Sequence, residues 1–149
     1  MAITQAIANS FKKELLDGAM SFKQTGGDTF KIALYISTAT LTSATSNYIT
    51  AGEVSNTGQY AAGGGALVNL GTSMTAGVAR CDFNDRSFTG VTLTARGALI
   101  YNTTAGSGSS TTDAVCILNF GADKTATSGT FTIQFPAPTS TAAILRISG

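Results

Sequence analysis

Few side chains in this sequence could carry catalytic chemistry. The chain has no histidine, which excludes Ser-His-Asp and Cys-His nucleophilic sites and any histidine-based zinc site. Its two cysteines are too few for a zinc site made of cysteines alone. Among the eight acidic residues, no two stand out as the facing carboxylate pair that a glycosidase needs. The sequence therefore predicts a protein that is not an enzyme and has no cofactor.

One short stretch, CDFNDRS at residues 81–87, groups oxygen-bearing side chains. Asp82, Asn84 and Asp85 could together ligate a calcium ion through hard oxygen atoms. The same residues are also typical of a turn in which Asp and Asn side chains bond their own backbone. We favour the turn, and the sequence predicts no metal site.

The two cysteines, Cys81 and Cys116, each lie in an alternating, strand-like run. They could form a disulfide only if their strands are neighbours with suitable Cβ geometry, which sequence does not decide. We expect two buried free thiols.

The low charge of the chain limits the classes of protein to which it can belong. Charged residues make up 11% of the sequence, against about 25% in a typical soluble domain. Thr, Ser, Gly and Ala take their place, and the mean hydropathy is +0.20. A net charge of +1 leaves no basic footprint for nucleic acid. No apolar run approaches the about 18–20 residues that would span a membrane.

So few charges leave two interpretations open. A chain with near-zero net charge is prone to associate, which suggests an obligate assembly. The alternative is an extracellular, threonine-rich β domain. The start of the sequence, MAITQAIANSFKKELL, lacks an apolar core followed by a cleavage site, so we expect synthesis in a cytoplasm without secretion.

The first element is predicted to be an amphipathic helix over about residues 3–17. Ile3, Ile7, Phe11 and Leu15 recur at four-residue spacing and draw one apolar stripe. Thr4 could cap the start of this helix, and Gly18 could adopt the left-handed conformation at its end. The helix either packs on the edge of a sheet or docks against a neighbouring subunit.

The next segment alternates as a strand and then loses all periodicity. FKIALYIS, at residues 30–37, places apolar side chains at every second position, the clearest strand signal in the chain. Residues 38–65 are predicted to be a long loop with a short helical turn near Tyr48. Loops of this length are usually functional or mobile, so this loop is the best candidate for a contact surface with a partner.

The second half is predicted to be a succession of short strands: GALVNL, VARCDF, GVTLTA, GALIYN, AVCILNF, TFTIQF and AAILRI. Turns are expected at NDRS, TAGSGSSTTD, GADKTATSG and PAPTS, with Pro136 and Pro138 at a strand end. This spacing is typical of an antiparallel β-sandwich or jelly roll. We therefore predict one mainly β domain, residues 1–149, with the N-terminal helix and a β-rich region over about 29–147.

Arg96 lies between apolar strand segments in TARGALIYN. An arginine there needs a carboxylate or carbonyl partner, because an unpaired buried charge is costly. A salt bridge within the chain is the first interpretation, and a contact across a subunit boundary is the second.

Four stretches carry a resemblance to a known group: ITQAIANSFKKELLDG, DTFKIALY, ARGALIYN and NFGADKTATSGTFTIQFP. Together they resemble small virion proteins of tailed bacteriophages. The resemblance runs from the N-terminal helix to the last strands and skips residues 38–65. It implies a structural component of the particle, and a compact chain without fibre repeats is most similar to a head decoration or cement protein.

The resemblance also implies partners. Such proteins often sit as trimers on the capsid surface and brace joints between major capsid subunits, so the expected partners are further copies of this chain and the major capsid protein. A receptor- or glycan-binding module of a phage tail is the alternative, and it would expose tyrosines and aspartates around residues 38–65. The candidates for partner contact are Ile3, Ile7, Phe11, Tyr48, Glu53, Tyr60 and Arg96.

Overall fold

A computed structural model describes residues 2–104, 110–139 and 141–148. The elements in chain order are β1 (Ala6–Ile7), α1 (Asn9–Leu16), β2 (Phe30–Tyr35), β3 (Gly65–Ala66), β4 (Asn69–Thr75), β5 (Val78–Phe83), β6 (Arg86–Asn102), β7 (Asp113–Ile133) and β8 (Leu145–Ile147). The described residues thus form one short helix and eight strands, which confirms a mainly β fold.

The strands form two open sheets, one of five strands in the order β1-β7-β6-β2-β3 and one of three in the order β4-β5-β8. All of the ladders between these strands are antiparallel, as predicted. In the larger sheet, β6 is the central strand and pairs with β2 through Ile32 and Ile100 and with β7 through Ile100 and Cys116.

A cluster of phenylalanines joins the two sheets and the helix. Phe22 stacks on Phe30 of β2 at 4.7 Å between ring centroids, and Phe30 meets Phe83 of β5 edge-on at 5.5 Å. Phe11 of α1 packs on Phe22 at 5.8 Å. All four side chains are buried. Offset and edge-on rings of this kind add to the free energy gained by burial, so this cluster holds both sheets in one core.

The N-terminal helix is shorter than the spacing predicts. Residues 6 and 7 are a strand, because they pair with Ile117 and Cys116 of β7, and the helix begins only at Asn9. The prediction that Thr4 caps it was wrong, since Ala8 occupies the cap position without a side-chain hydrogen bond. Gly18 does adopt a positive φ of 73° just after the helix, as expected.

The strand over FKIALY is confirmed as β2, and both of its faces are nearly all buried. The following residues 36–64 form no helix or named strand, which confirms the long loop. The helical turn expected near Tyr48 was wrong. The backbone N–H of Tyr48 instead donates to the carbonyl of Thr112 at 2.8 Å. A close approach ends the loop: a Cβ on Gly64, whose φ is +83°, would lie 1.9 Å from the carbonyl oxygen of Ile32.

Two predicted pairs of strands are single strands in the structure. GVTLTA and GALIYN both belong to β6, and AVCILNF and TFTIQF both belong to β7. The turn predicted at GADKTATSG was therefore wrong. Because β7 pairs with β6 across this stretch with register shifts, the Gly, Thr and Ser residues form an irregular, bulged strand. Ser128 there has a positive φ of 47°.

The remaining strand predictions are mostly confirmed. VARCDF is β5 without change, AAILRI contains β8, and GALVNL is divided between β3 and β4. Asn84 and Asp85 of the NDRS turn lie between β5 and β6, and Pro136 and Pro138 lie beyond the end of β7. Parts of the predicted turns TAGSGSSTTD and PAPTS, residues 105–109 and 140, lie outside the described residues.

Both cysteines are free and buried, as predicted. Burial raises the pKa of the Cys81 thiol and of the Cys116 thiol to about 12. Both side chains therefore act as small apolar core residues.

Candidate functional site

No group of three or more metal-binding side chains occurs among the described residues. At the CDFNDRS turn, the carboxylate of Asp85 accepts a hydrogen bond from the backbone N–H of Phe135 at 2.8 Å. Burial raises the pKa of Asp82 above its ordinary value. The turn thus uses Asp85 to hold the segment that follows β7.

In the described part of the chain, no helix has the length and apolarity needed to cross a membrane.

Glu53 lies at the centre of a cluster formed by the long loop. Its carboxylate accepts hydrogen bonds from the Tyr48 hydroxyl at 2.5 Å, the Tyr60 hydroxyl at 2.8 Å and the backbone N–H of Gly63 at 2.7 Å. The Tyr60 hydroxyl also accepts from the backbone N–H of Leu34 in β2 at 2.8 Å. Three donors on one carboxylate tie the loop to the sheet.

The other two tyrosines complete this cluster. Tyr101 stacks on Tyr48 at 5.0 Å and donates to the carbonyl of Gly63 at 2.6 Å. Tyr35 donates to the carbonyl of Ile49 at 2.7 Å. Burial, with the charge of Glu53 adding to it, raises the pKa of Tyr35 and Tyr101 above the ordinary value. All four hydroxyls have hydrogen-bond partners, so the cluster is suited to fastening the loop.

The predicted contact residues are divided between core and surface. Ile3, Phe11 and Tyr60 are 8%, 3% and 1% exposed, so in this structure they stabilise the fold. The structure brings Tyr48, Glu53 and Tyr60 together and leaves Ile7 half-buried in β1, away from that cluster. Partner contact remains a prediction for the members that reach the surface.

Arg96 has its partner within the chain. Its Nε lies 2.8 Å from Oδ1 of Asp123, across the β6–β7 pairing. This confirms the first interpretation of Arg96. Both side chains are well exposed to solvent, and exposed ion pairs contribute little to stability.

The outer edge of β7 is a long strand edge that the described strands leave mostly unpaired. β7 pairs with β6 along its length, but on its other side β1 covers only Cys116 and Ile117. Eight of the ten residues 121–130 are exposed, Gly129 is half-buried and Ala126 is buried. Their only charges are Asp123, which pairs with Arg96, and Lys124. Such an edge is a template for pairing with another chain.

Sequence reasoning missed a second surface, a groove between α1 and the three-stranded sheet. Its lining includes Leu16 and Ile147, which are 90% and 60% exposed. Arg80 lies beside it, with its Nε and Nη1 atoms buried and without a hydrogen-bond partner among the described residues. One signal was present in the sequence: Arg80 and Arg146 each interrupt a short apolar strand.

Comparison of the chain with protein-family models, curated proteins and solved structures found no match.

Proposed function

We propose that this chain is a structural protein of a bacteriophage particle, and specifically a capsid decoration or cement protein that braces major capsid subunits. It is made in the host cytoplasm and joins the capsid surface as a homotrimer. The resemblance to virion proteins motivates this proposal, and the surface of the molecule supports it independently.

The observation that carries the proposal is the open edge of β7. Natural proteins protect long strand edges with charges, prolines or a covering segment. Residues 121–130 of β7 hold two charges and no proline. A strand exposed on both faces and unpaired on one edge fits a protein that works beside further copies. A three-fold ring uses such head-to-tail contacts, since each copy presents two different surfaces.

The side chains on the β6–β7 pair suit close contact between proteins. Hydroxyl groups face each other across the two strands, Ser87 with Thr132 at 2.8 Å and Thr94 with Thr125 at 2.9 Å. Burying a small, uncharged hydroxyl group costs less free energy than burying a charged group. A cement protein gains its binding strength from many copies rather than from one site.

We extend the proposal to the architecture. The contact of Phe30 in the five-stranded sheet with Phe83 in the three-stranded sheet supports a description of the two sheets as facing layers of a sandwich-like domain. A jelly-roll-like domain of this kind would expose its strand edges around a trimer axis.

The tail alternative receives less support from the geometry. A glycan-binding module would expose a tyrosine cluster around residues 38–65. In that loop Tyr60 is buried, and the Tyr48 hydroxyl donates a hydrogen bond to Glu53.

Counting copies in purified particles tests the proposal. Quantitative mass spectrometry would compare this chain with the major capsid protein. We expect copies in numbers comparable with those of capsid subunits. A few copies per particle would place the chain at the tail or the portal vertex and would contradict the cement function.

A further inference from the structure

The open edge of β7 borders a pocket of about 400 Å³. Phe120 lies in the stretch where β7 shifts register against β6, and its ring centroid is 6.1 Å from that of Phe131. Both rings line the pocket, together with Thr130 and Thr132. Phe131 is buried while the two threonines are exposed. Because both faces of β7 contribute to the lining, the pocket lies along the edge of the strand.

A strand that pairs with this edge would meet two different surfaces. Successive side chains of a strand point to opposite faces of the sheet. On one face, the side chains of the added strand would pass over Phe120 and Phe131. On the other face, they would lie beside the hydroxyls of Thr130 and Thr132. The edge therefore fits a strand in which apolar and small hydroxyl side chains alternate.

β4, the outer strand of the smaller sheet, carries this pattern at its end. Ser73, Met74 and Thr75 follow one another and are all exposed. Met74, at 73%, is the most exposed large apolar side chain of the described strands. No charged residue occurs between residues 66 and 79. The β4–β5 hairpin can therefore dock without taking a charge out of water.

The other free edges among the described strands lack the pattern. β8 places Arg146 between Leu145 and Ile147, so that a charge would face the threonines. β1 and β3 have only two residues each. Residues 127–130 of β7 itself are Thr, Ser, Gly and Thr, which offer no large apolar side chain to a pocket on another β7. The pattern thus favours β4 of a second copy over a second β7.

β6 shows how such a ladder is built on the opposite side of β7. The hydroxyls of Ser87 and Thr132 lie 2.8 Å apart on one face, and Phe88 lies opposite Phe131 on the other. Hydroxyl pairs and apolar pairs in these positions stabilise antiparallel sheets. β4 offers the same two kinds of contact to the outer side of β7.

We propose that β4 of one copy pairs with the outer edge of β7 in the next copy, and that Met74 enters the pocket between Phe120 and Phe131. A thioether beside aromatic rings makes a favourable contact. Ser73 and Thr75 then face the threonines of β7. Because the two surfaces differ, the contact is head-to-tail, and its repetition closes a ring. The number of copies in that ring, three, rests on the proposed function.

Two edge-blocked variants of the full chain test the proposal. Thr127→Lys, Thr130→Lys blocks the β7 edge, and Ser73→Lys, Thr75→Lys blocks the hairpin, because lysines prevent pairing at strand edges. All four side chains are exposed, so both variants should fold. Each variant alone should be a monomer by light scattering. A 1:1 mixture should form a dimer, because one intact hairpin can still meet one intact β7 edge.

The mixture also tests the role of Met74. Adding Met74→Ser to the chain with the intact hairpin should weaken the dimer about tenfold or more, because the contact loses a large apolar side chain. Leu16→Ser in the same chain is the matched control. It removes an apolar side chain of α1 that is 90% exposed, and it should leave the dissociation constant unchanged.

Several results would overturn the proposal. Association of the hairpin-blocked variant with itself would show that β7 edges pair with each other. A mixture that stays monomeric would exclude the head-to-tail contact, and an unchanged dissociation constant with Met74→Ser would exclude Met74 from the pocket. A monomeric wild type that binds isolated capsids would show that the β7 edge receives a capsid strand instead.

Incorporation into particles separates this inference from the proposed function. If the mixture pairs as expected while the wild type is absent from capsid shells, the contact between copies stands and the cement function fails. If the wild type and the hairpin-blocked variant both decorate capsids as trimers, the cement function stands and the contact through β4 fails.

Discussion

At the scale of single residues, Glu53 connects several parts of the long loop. Its carboxylate accepts from two tyrosine hydroxyls and one backbone N–H. Through Tyr60, it is also linked to the backbone of β2. This carboxylate therefore adds side-chain hydrogen bonds to the backbone hydrogen bonds, such as Val54 N–H to the carbonyl of Leu34, that attach the long loop between β2 and β3.

The variant Glu53→Gln should destabilise the protein by about 2 kcal/mol, because an amide offers one acceptor oxygen and turns a donor toward groups that also donate. Denaturant unfolding followed by tyrosine fluorescence measures the change. Asp17→Asn is the control, because it removes an exposed helix ion pair with Lys13 and should change stability by less than about 0.5 kcal/mol. Equal effects of the two variants would show that the cluster does not hold the loop.

The buried cysteines lead to a prediction about alkaline pH. Burial raises the pKa of both thiols from 9.0 to about 12, so the folded chain retains thiol protons that the unfolded chain loses. Stability is therefore full below pH 9 and falls as the pH rises from 9.0 toward about 12. The slope of unfolding free energy against pH in this range should be smaller in a Cys81→Ala, Cys116→Ala double variant.

Thiol accessibility checks the same burial directly. A disulfide reagent should leave both thiols unmodified in the native protein and modify both in denaturant. Fast reaction of either thiol in the native state would contradict its placement in the core.

Sequence reasoning found part of the tyrosine cluster and could not find the rest. Tyr48, Glu53 and Tyr60 lie within one loop, so their proximity is a matter of short separation along the chain. Tyr35 and Tyr101 belong to β2 and β6, and only the pairing of these strands brings them to Glu53. From its length and composition, we predicted that the loop is a contact surface for a partner. This composition does not reveal that aromatic side chains of the loop turn inward.

At the scale of elements, the β4–β5 hairpin has a turn with an unfavourable residue. Ala76 and Gly77 connect the strands with φ values of 52° and 77°. Two positive φ angles in succession are typical of a type I′ turn, in which Asn-Gly is the preferred pair. Alanine in this conformation is strained by its Cβ.

Replacing Ala76 with Asn should therefore stabilise the protein by roughly 1 kcal/mol, measured as an increase in the denaturation midpoint. Ala61→Asn is a matched control. It changes an exposed alanine whose φ is not positive, so it should be neutral or slightly destabilising. A loss of stability in Ala76→Asn would show that the hairpin does not adopt this turn.

Element prediction succeeded where the hydrophobic pattern and the pairing agreed. FKIALY and VARCDF alternate and are strands. It failed where local composition opposed the pairing. DKTATSG has the residues of a turn, yet β6 supplies a partner along it and keeps it in β7. At Ile3 and Ile7 the four-residue spacing fits a helix, but pairing with β7 fixes residue 7 in an extended conformation.

At the scale of the whole molecule, the low charge of the chain and the open edge of β7 both favour association with other chains. A domain with 11% charged residues has few means of keeping a strand edge away from other strands. On the proposed function, this edge is the surface on which copies meet.

Two lysines on this edge should prevent association. We expect the wild type to be a trimer by light scattering and a Thr127→Lys, Thr130→Lys double variant to be a monomer, because charged side chains block pairing at strand edges. Both threonines are exposed, so the unfolding free energy of the monomer should change little. A Ser55→Lys, Ala61→Lys variant adds the same charge to the exposed loop and should remain a trimer. A monomeric wild type would contradict the prediction.

The pairing of β1 with β7 has a consequence for how the protein is made. Ala6 and Ile7 leave the ribosome early, but their partners Ile117 and Cys116 are translated in the last third of the sequence. β2 likewise cannot pair until residues 97–102 of β6 have been translated. Contacts between distant parts of a chain form slowly, because a long loop must close first. The nascent chain thus carries an apolar strand without its neighbours for most of its synthesis, and we expect folding to follow translation and to be helped by chaperones.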